Sequence, residues 1–191
     1  MAAGATATRG GASLISNFTR KRNRLHLFDY KQTGAYFITT NTKNNEELFG
    51  RVIEEAPPPV NTDDVLNALQ ADSTSIMVLN AVGELVDSEV RRLNTLYDCV
   101  SVDFHVVMPN HVHMIISVVD SNGDSGKPPP LSDIIGHWKR AVSVKLWFSP
   151  WQKSFYDHVI RNEDDYHRIA EYIVSNPARW HEDRYNASAQ S

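Results

Sequence analysis

From residue 100 to 119 the chain runs VSVDFHVVMPNHVHMIISVV, two apolar segments divided by Pro109 and Asn110. Both segments are short and rich in β-branched residues, which favours strands, and Pro-Asn favours a tight turn between antiparallel partners. AYFITTNT (35–42), opened by Gly34, and SFYDHVIR (154–161) have the same β-rich character, and IMVLN (76–80) predicts a further short strand. A helical period governs VDSEVRRLNTLYD (86–98), where Val90, Leu93, Leu96 and Tyr97 share a face. It returns in LSDIIGHWKRAVSVKLW (131–147), with Ile134, Ile135, Trp138, Val142 and Leu146 on one side. The last periodic run, EDDYHRIAEYIVSN (163–176), has Asn162 as a natural N-cap and Pro177 as its stop.

In order, these elements read β-α-β-β-α-β with one more helix at the end. That order predicts an α+β, ferredoxin-like (RRM-like) fold: a split βαβ antiparallel sheet with helices on one face and an extra C-terminal helix. The opposite face would be free for a ligand. A single domain over 25–180 is expected. Within it, 51–75, with APPPV and several acids, reads as an inserted excursion holding a pair of helical turns, and 120–130 (DSNGDSGKPPP) as a loop. Residues 1–24 read as a flexible basic N-terminal tail, and 181–191 as a C-terminal tail.

Composition sharpens the picture only in places. The net charge of −4 describes a mildly acidic chain, but the average hides an asymmetry. Residues 1–50 carry seven Lys/Arg against three Asp/Glu, while 51–103 carry three against ten. Cys99 is the only cysteine, so no intrachain disulfide can form, which favours a reducing cytoplasm. No run approaches the ~18 apolar residues of a membrane span. The opening MAAGATATRGGASLIS has no continuous apolar core and reads as a tail, not a signal peptide.

The chemistry sits in HVH. Side chains alternate along a strand, so His111 and His113 share a face, about 6.5 Å apart at Cα, and can converge on one metal ion. A pair merely exposed on an open sheet would have the same spacing. In the last helix Ile169, Tyr172, Ile173 and Asn176 form one stripe, which turns Tyr172 and Asn176 toward the sheet. An ordinary amphipathic helix, with the tyrosine in the core and the asparagine starting a cap, fits the stripe as well. Two imidazoles plus an amide oxygen would hold an ion without identifying it.

Two stretches carry a family resemblance: MPNHVH, and WQKSFYDHVIRNEDDYHRIAEYIVSNPARW. With RKRNRLHLFDYKQTGAYFITTNTKNNEELFG and VLNAVGELVDSEVRRL, they make most of 20–180 similar to the HUH single-tyrosine transposases, above all the REP-associated branch. The resemblance implies metal binding by His111 and His113, with Asn176 as a third ligand where the family sometimes has glutamine. It implies Tyr172 as the nucleophile of a single-stranded DNA endonuclease and strand transferase, forming a 5′-phosphotyrosine intermediate in DNA transposition. The implied cofactor is a divalent ion, Mg²⁺ or Mn²⁺. The implied partner is single-stranded DNA at a hairpin or repeat element, with no membrane, and with both monomers and homodimers among relatives.

Arg20, Lys21, Arg22 and Arg24, with Lys139 and Arg140, are the expected phosphate contacts, although a basic run in a tail also serves simply as a solvated one. Tyr156 is the rival nucleophile; Tyr166 does not share the face of Tyr172. Asp157 and His158 match the family segment without an assigned role. Three other readings stay open: a hairpin-specific endonuclease retained as a host function, a nuclease that uses water, and a non-catalytic single-stranded nucleic-acid binding module.

Overall fold

The computed structural model describes residues 33–55, 74–120 and 128–186. Four strands form the main sheet: β1 (Gly34–Asn41), β4 (Val100–Val107), β5 (His111–Val118) and β6 (Tyr156–Ile160). Their spatial order is β4-β5-β1-β6, with every neighbouring pair antiparallel. That is the split βαβ order expected from the sequence. β5 pairs on both sides, and its apolar run is accordingly buried on both faces.

Two helices close one face of the sheet, α1 (Ala81–Leu96) and α2 (Leu131–Leu146). Val90 and Leu93 of α1 and Ile134, Trp138 and Val142 of α2 meet Tyr36, Val112, Met114 and Ile116 in one core. Each such side chain contributes roughly 1.5–3 kcal/mol on burial, so this face supplies most of the stability. α1 starts five residues before the expected 86. Asn80 explains the early start, because its side-chain oxygen accepts from the amides of Val82 and Gly83, both at 3.0 Å.

The opposite face is not free. α3 (Glu163–Ser175) lies across it and packs Ile169, Ala170 and Ile173 on Ile115 and Ile160. Two polar ties fix its first turns: Tyr166 donates to Asp103 Oδ2 at 3.1 Å, and His158 Nε2 lies 2.8 Å from Asp165 Oδ2. Tyr166 therefore anchors the helix, and His158, which had no assigned role, does the same.

At both ends of the expected excursion over 51–75 the described residues are strands, and the expected helical turns fall outside the described residues. β2 (Gly50–Glu55) and β3 (Thr74–Leu79) form a separate two-stranded antiparallel sheet, while 56–73 lie outside the described residues. Gly50 has φ +143, and an added Cβ would lie 2.2 Å from the carbonyl oxygen of Val78, so only glycine fits where the ribbon starts. The boundary placed at 180 also moves. A 3₁₀ helix spans Pro177–Glu182, packs beside β3, and leads into a folded segment that reaches Asn186. No helix among the described residues is long and apolar enough to cross a membrane.

Candidate metal and nucleophile site

Alternation along β5 sends Val112, Met114 and Ile116 to the α1–α2 core and leaves His111, His113 and Ile115 facing α3. Both histidines are buried, at 0% and 1% exposure, with ring centroids 4.4 Å apart. They are not the exposed pair that an open face would have given. Nδ1 of His113 is 2.8 Å from Thr39 Oγ1, its cross-strand neighbour on β1. Nδ1 of His111 is 2.9 Å from Asn110 Oδ1. Burial pushes His111 down to about 3, helped by the positive charge of Arg184. Burial, with His111 and Arg184 adding, holds His113 well below the usual imidazole range. Both rings are thus neutral at physiological pH, which is the ligating form.

α3 brings Tyr172 to this pair. Its phenolic oxygen lies 3.2 Å from His113 Nε2, and its ring meets Phe37 edge-on with centroids 6.1 Å apart. Burial raises the phenol above its ordinary value, and the charge of Asp183 raises it further. One turn beyond, Asn176 is 2% exposed, and its Nδ2 points at Asp183 Oδ2 from 3.5 Å.

Asp183 itself was missed by sequence reasoning, which placed it in a tail. Its Oδ2 is 3.9 Å from His111 Nε2, and the ligand atoms of His111, His113 and Asp183 all lie within 4.8 Å of one another. Local turn chemistry places it: Asp183 Oδ1 accepts the amide of Tyr185 at 2.8 Å, while Asn110 Nδ2 holds the Tyr185 carbonyl at 2.7 Å. The Tyr185 ring then covers His111, with centroids 4.8 Å apart. The only sequence signal was the turn tendency of an aspartate shortly after a proline-stopped helix.

The donor set fits a cation. His111 Nε2 and Asn176 Oδ1 are buried acceptors without a hydrogen-bond partner, beside a carboxylate. Unpartnered buried acceptors cost about 1–3 kcal/mol each, and an ion they all ligate removes that cost. Two imidazoles, a carboxylate and an amide oxygen would leave coordination positions for substrate or water.

A cleft of about 700 Å³ opens over the site, lined by Phe37, His113, Tyr156, His158, Tyr172 and Asn176, among others. Arg168, Arg179 and Arg184 also line it, none of them expected from the sequence. The expected phosphate contacts do not converge here. Lys139 and Arg140 belong to α2, on the other face of the sheet. Lys139 Nζ donates to the carbonyls of Gln152 at 2.7 Å and Ser154 at 3.2 Å, and burial lowers its pKa to about 8. It holds a loop. Arg20, Lys21, Arg22 and Arg24 lie outside the described residues. Tyr156 lines the cleft on β6 opposite Thr39, so it stays a second phenol near the site.

No protein-family model matches the chain. A Haemophilus influenzae protein named only "Uncharacterized protein" is 31% identical over 185 residues, covering 86% of this chain and 92% of that one. The REP-associated tyrosine transposase of Escherichia coli K12 is 32% identical over 74 residues, which is 39% of this chain and 42% of its own length. A solved structure described as a REP-associated tyrosine transposase bound to a REP hairpin has a TM-score of 0.49 at 17% identity, covering 78% of this chain and 69% of that one.

Proposed function

We propose that this chain, which belongs to one family with the Haemophilus influenzae protein, cuts and rejoins single-stranded DNA through Tyr172. The observation that carries this reading is the Tyr172 phenol, 3.2 Å from a buried imidazole of the His111–His113–Asp183 cluster, in a cleft lined by three arginines. The local likeness to the Escherichia coli REP-associated tyrosine transposase supports the same reading.

His111, His113 and Asp183 would hold the divalent ion, with Asn176 Oδ1 completing the set. Mg²⁺ and Mn²⁺ are the proposed ions, and the imidazoles favour Mn²⁺ on softness. Such an ion supplies Lewis acidity, drawing charge from a phosphate oxygen. Arg168, Arg179 and Arg184 would meet neighbouring phosphates. Tyr172 Oη attacks phosphorus, the Oη–P bond forms and the bond from phosphorus to the 3′-oxygen breaks. The phenol loses a proton and the departing oxygen gains one, so the step is proton-neutral. It leaves a 5′-phosphotyrosine and a 3′-hydroxyl, and attack by another 3′-hydroxyl reverses it. Burial raises the Tyr172 phenol, so it needs this electrostatic help to ionise. The substrate proposed is a hairpin or repeat element, and the catalytic parts lie in one domain that works in the cytoplasm as a transposase.

The test incubates the full chain with single-stranded hairpin oligonucleotides taken from DNA flanking its gene, with Mn²⁺ or Mg²⁺. A covalent protein–DNA band on a denaturing gel is expected, lost with EDTA, with Tyr172→Phe and with His111→Ala. An adduct that survives Tyr172→Phe and disappears with Tyr156→Phe moves the nucleophile to β6. Cleavage without any adduct replaces the reading with a nuclease that uses water.

A further inference from the structure

Asn110 is fully buried in the turn that enters β5, and no step of the proposed reaction uses it. Its amide fits only one way round. Nδ2 donates to two backbone carbonyls, Asn45 O at 3.0 Å and Tyr185 O at 2.7 Å, and the reversed amide would set its oxygen against both. Oδ1 must then be the atom 2.9 Å from Nδ1 of His111. An amide oxygen can only accept, so Nδ1 carries the ring hydrogen. A neutral imidazole has just one such hydrogen, which leaves Nε2 as a bare lone pair. That nitrogen is the unpartnered buried atom beside Asp183.

The same side chain also joins three segments. Asn45 ends the 3₁₀ turn Lys43–Asn45 that follows β1, Asn110 precedes β5, and Tyr185 belongs to the C-terminal segment that carries Asp183. We propose that Asn110 is a positioning residue for the cation site. It fixes the His111 tautomer that offers Nε2 as a ligand, and through the Tyr185 carbonyl it holds Asp183 within reach of that ligand. The other tautomer would aim an N–H into the cluster and repel a cation. No other side chain does both jobs at this length: aspartate keeps the acceptor and loses both donors, and alanine loses all three bonds.

The proposal rests on the cation-site reading, but its first half concerns the protein without metal. The experiment records long-range ¹H–¹⁵N spectra of the His111 ring in the metal-free full chain, followed by titration with Mn²⁺ alone. A protonated Nδ1 and a bare Nε2 are expected in the wild type. Asn110→Ala should lose this single tautomer and weaken Mn²⁺ binding by about 10–100-fold. Asn110→Asp should keep the tautomer, because it keeps the acceptor, while releasing Tyr185. A hydrogen on Nε2 of the folded wild type overturns the proposal with no variant needed, which covers an alanine variant that fails to fold. A folded Asn110→Ala with wild-type tautomer or unchanged Mn²⁺ affinity also overturns it. If tautomer and Mn²⁺ binding behave as expected and no DNA forms an adduct, the proposal stands and the strand-transfer reading is what fails.

Discussion

On one face of the sheet, β5 gives Val112, Met114 and Ile116 to a core that α1 and α2 close. On the other it gives Ile115 to a smaller apolar cluster under a single helix, and His111 and His113 to a polar cluster with Asp183. One strand thus serves two purposes, one residue out of step. The first face is ordinary: apolar groups meet apolar groups, and burial sets the energy. The second gives up part of that stability. It buries two neutral imidazoles, a carboxylate and an amide whose acceptors point at one another. Buried acceptors without partners mark a function more often than a defect, and the first face provides the rigidity that tolerates them.

The largest effect that separates the faces is chemical. Tyr172→Phe should abolish the covalent adduct while costing only about 1 kcal/mol of stability, the worth of one hydrogen bond; a denaturing gel and a urea melt on the same preparation check both. Trp138→Ala should do the reverse. It should lower stability by about 3–5 kcal/mol in urea unfolding, with adduct formation per folded molecule unchanged. Asp183→Asn weakens the acceptor cluster without touching the core. Mn²⁺ affinity should fall at least about 10-fold, and thermal melts with and without Mn²⁺ should show a smaller metal-induced rise than the wild type. The smallest effect compares two arginines. Arg179→Ala, in the cleft, should reduce the salt slope of DNA binding by about 1, while Arg140→Ala, on the α2 face, should leave it unchanged.

Failure of this ordering would be informative. If Trp138→Ala removed the adduct from molecules that remain folded, the two faces would be coupled through β5. If Arg140 carried the salt slope, DNA would run over α2, and Arg168 and Arg179 would be counterions to Asp165 and Glu182, their modest ion-pair partners.

Local chemistry made much of this protein legible from sequence. Alternation put His111 and His113 on one side of β5, and the helical stripe put Tyr172 and Asn176 on one side of α3, because both periods are properties of the backbone. Strand order followed from element order, since short connections and sheet handedness leave few topologies. Two helix starts, at 131 and 163, were read correctly, and the third was placed late because its cap, Asn80, lies outside the apolar stripe. What the sequence alone determined was therefore which residue types face together within an element. Which elements meet was left to the tertiary structure: α3 covering the supposedly open face, and Asp183 returning from an apparent tail to complete the cluster. The same holds for Lys139, a free cation by composition that the fold commits to two carbonyls. Such pairings depend on contacts between distant segments, whose gain has to exceed the cost of closing the chain between them, and no local period encodes that balance.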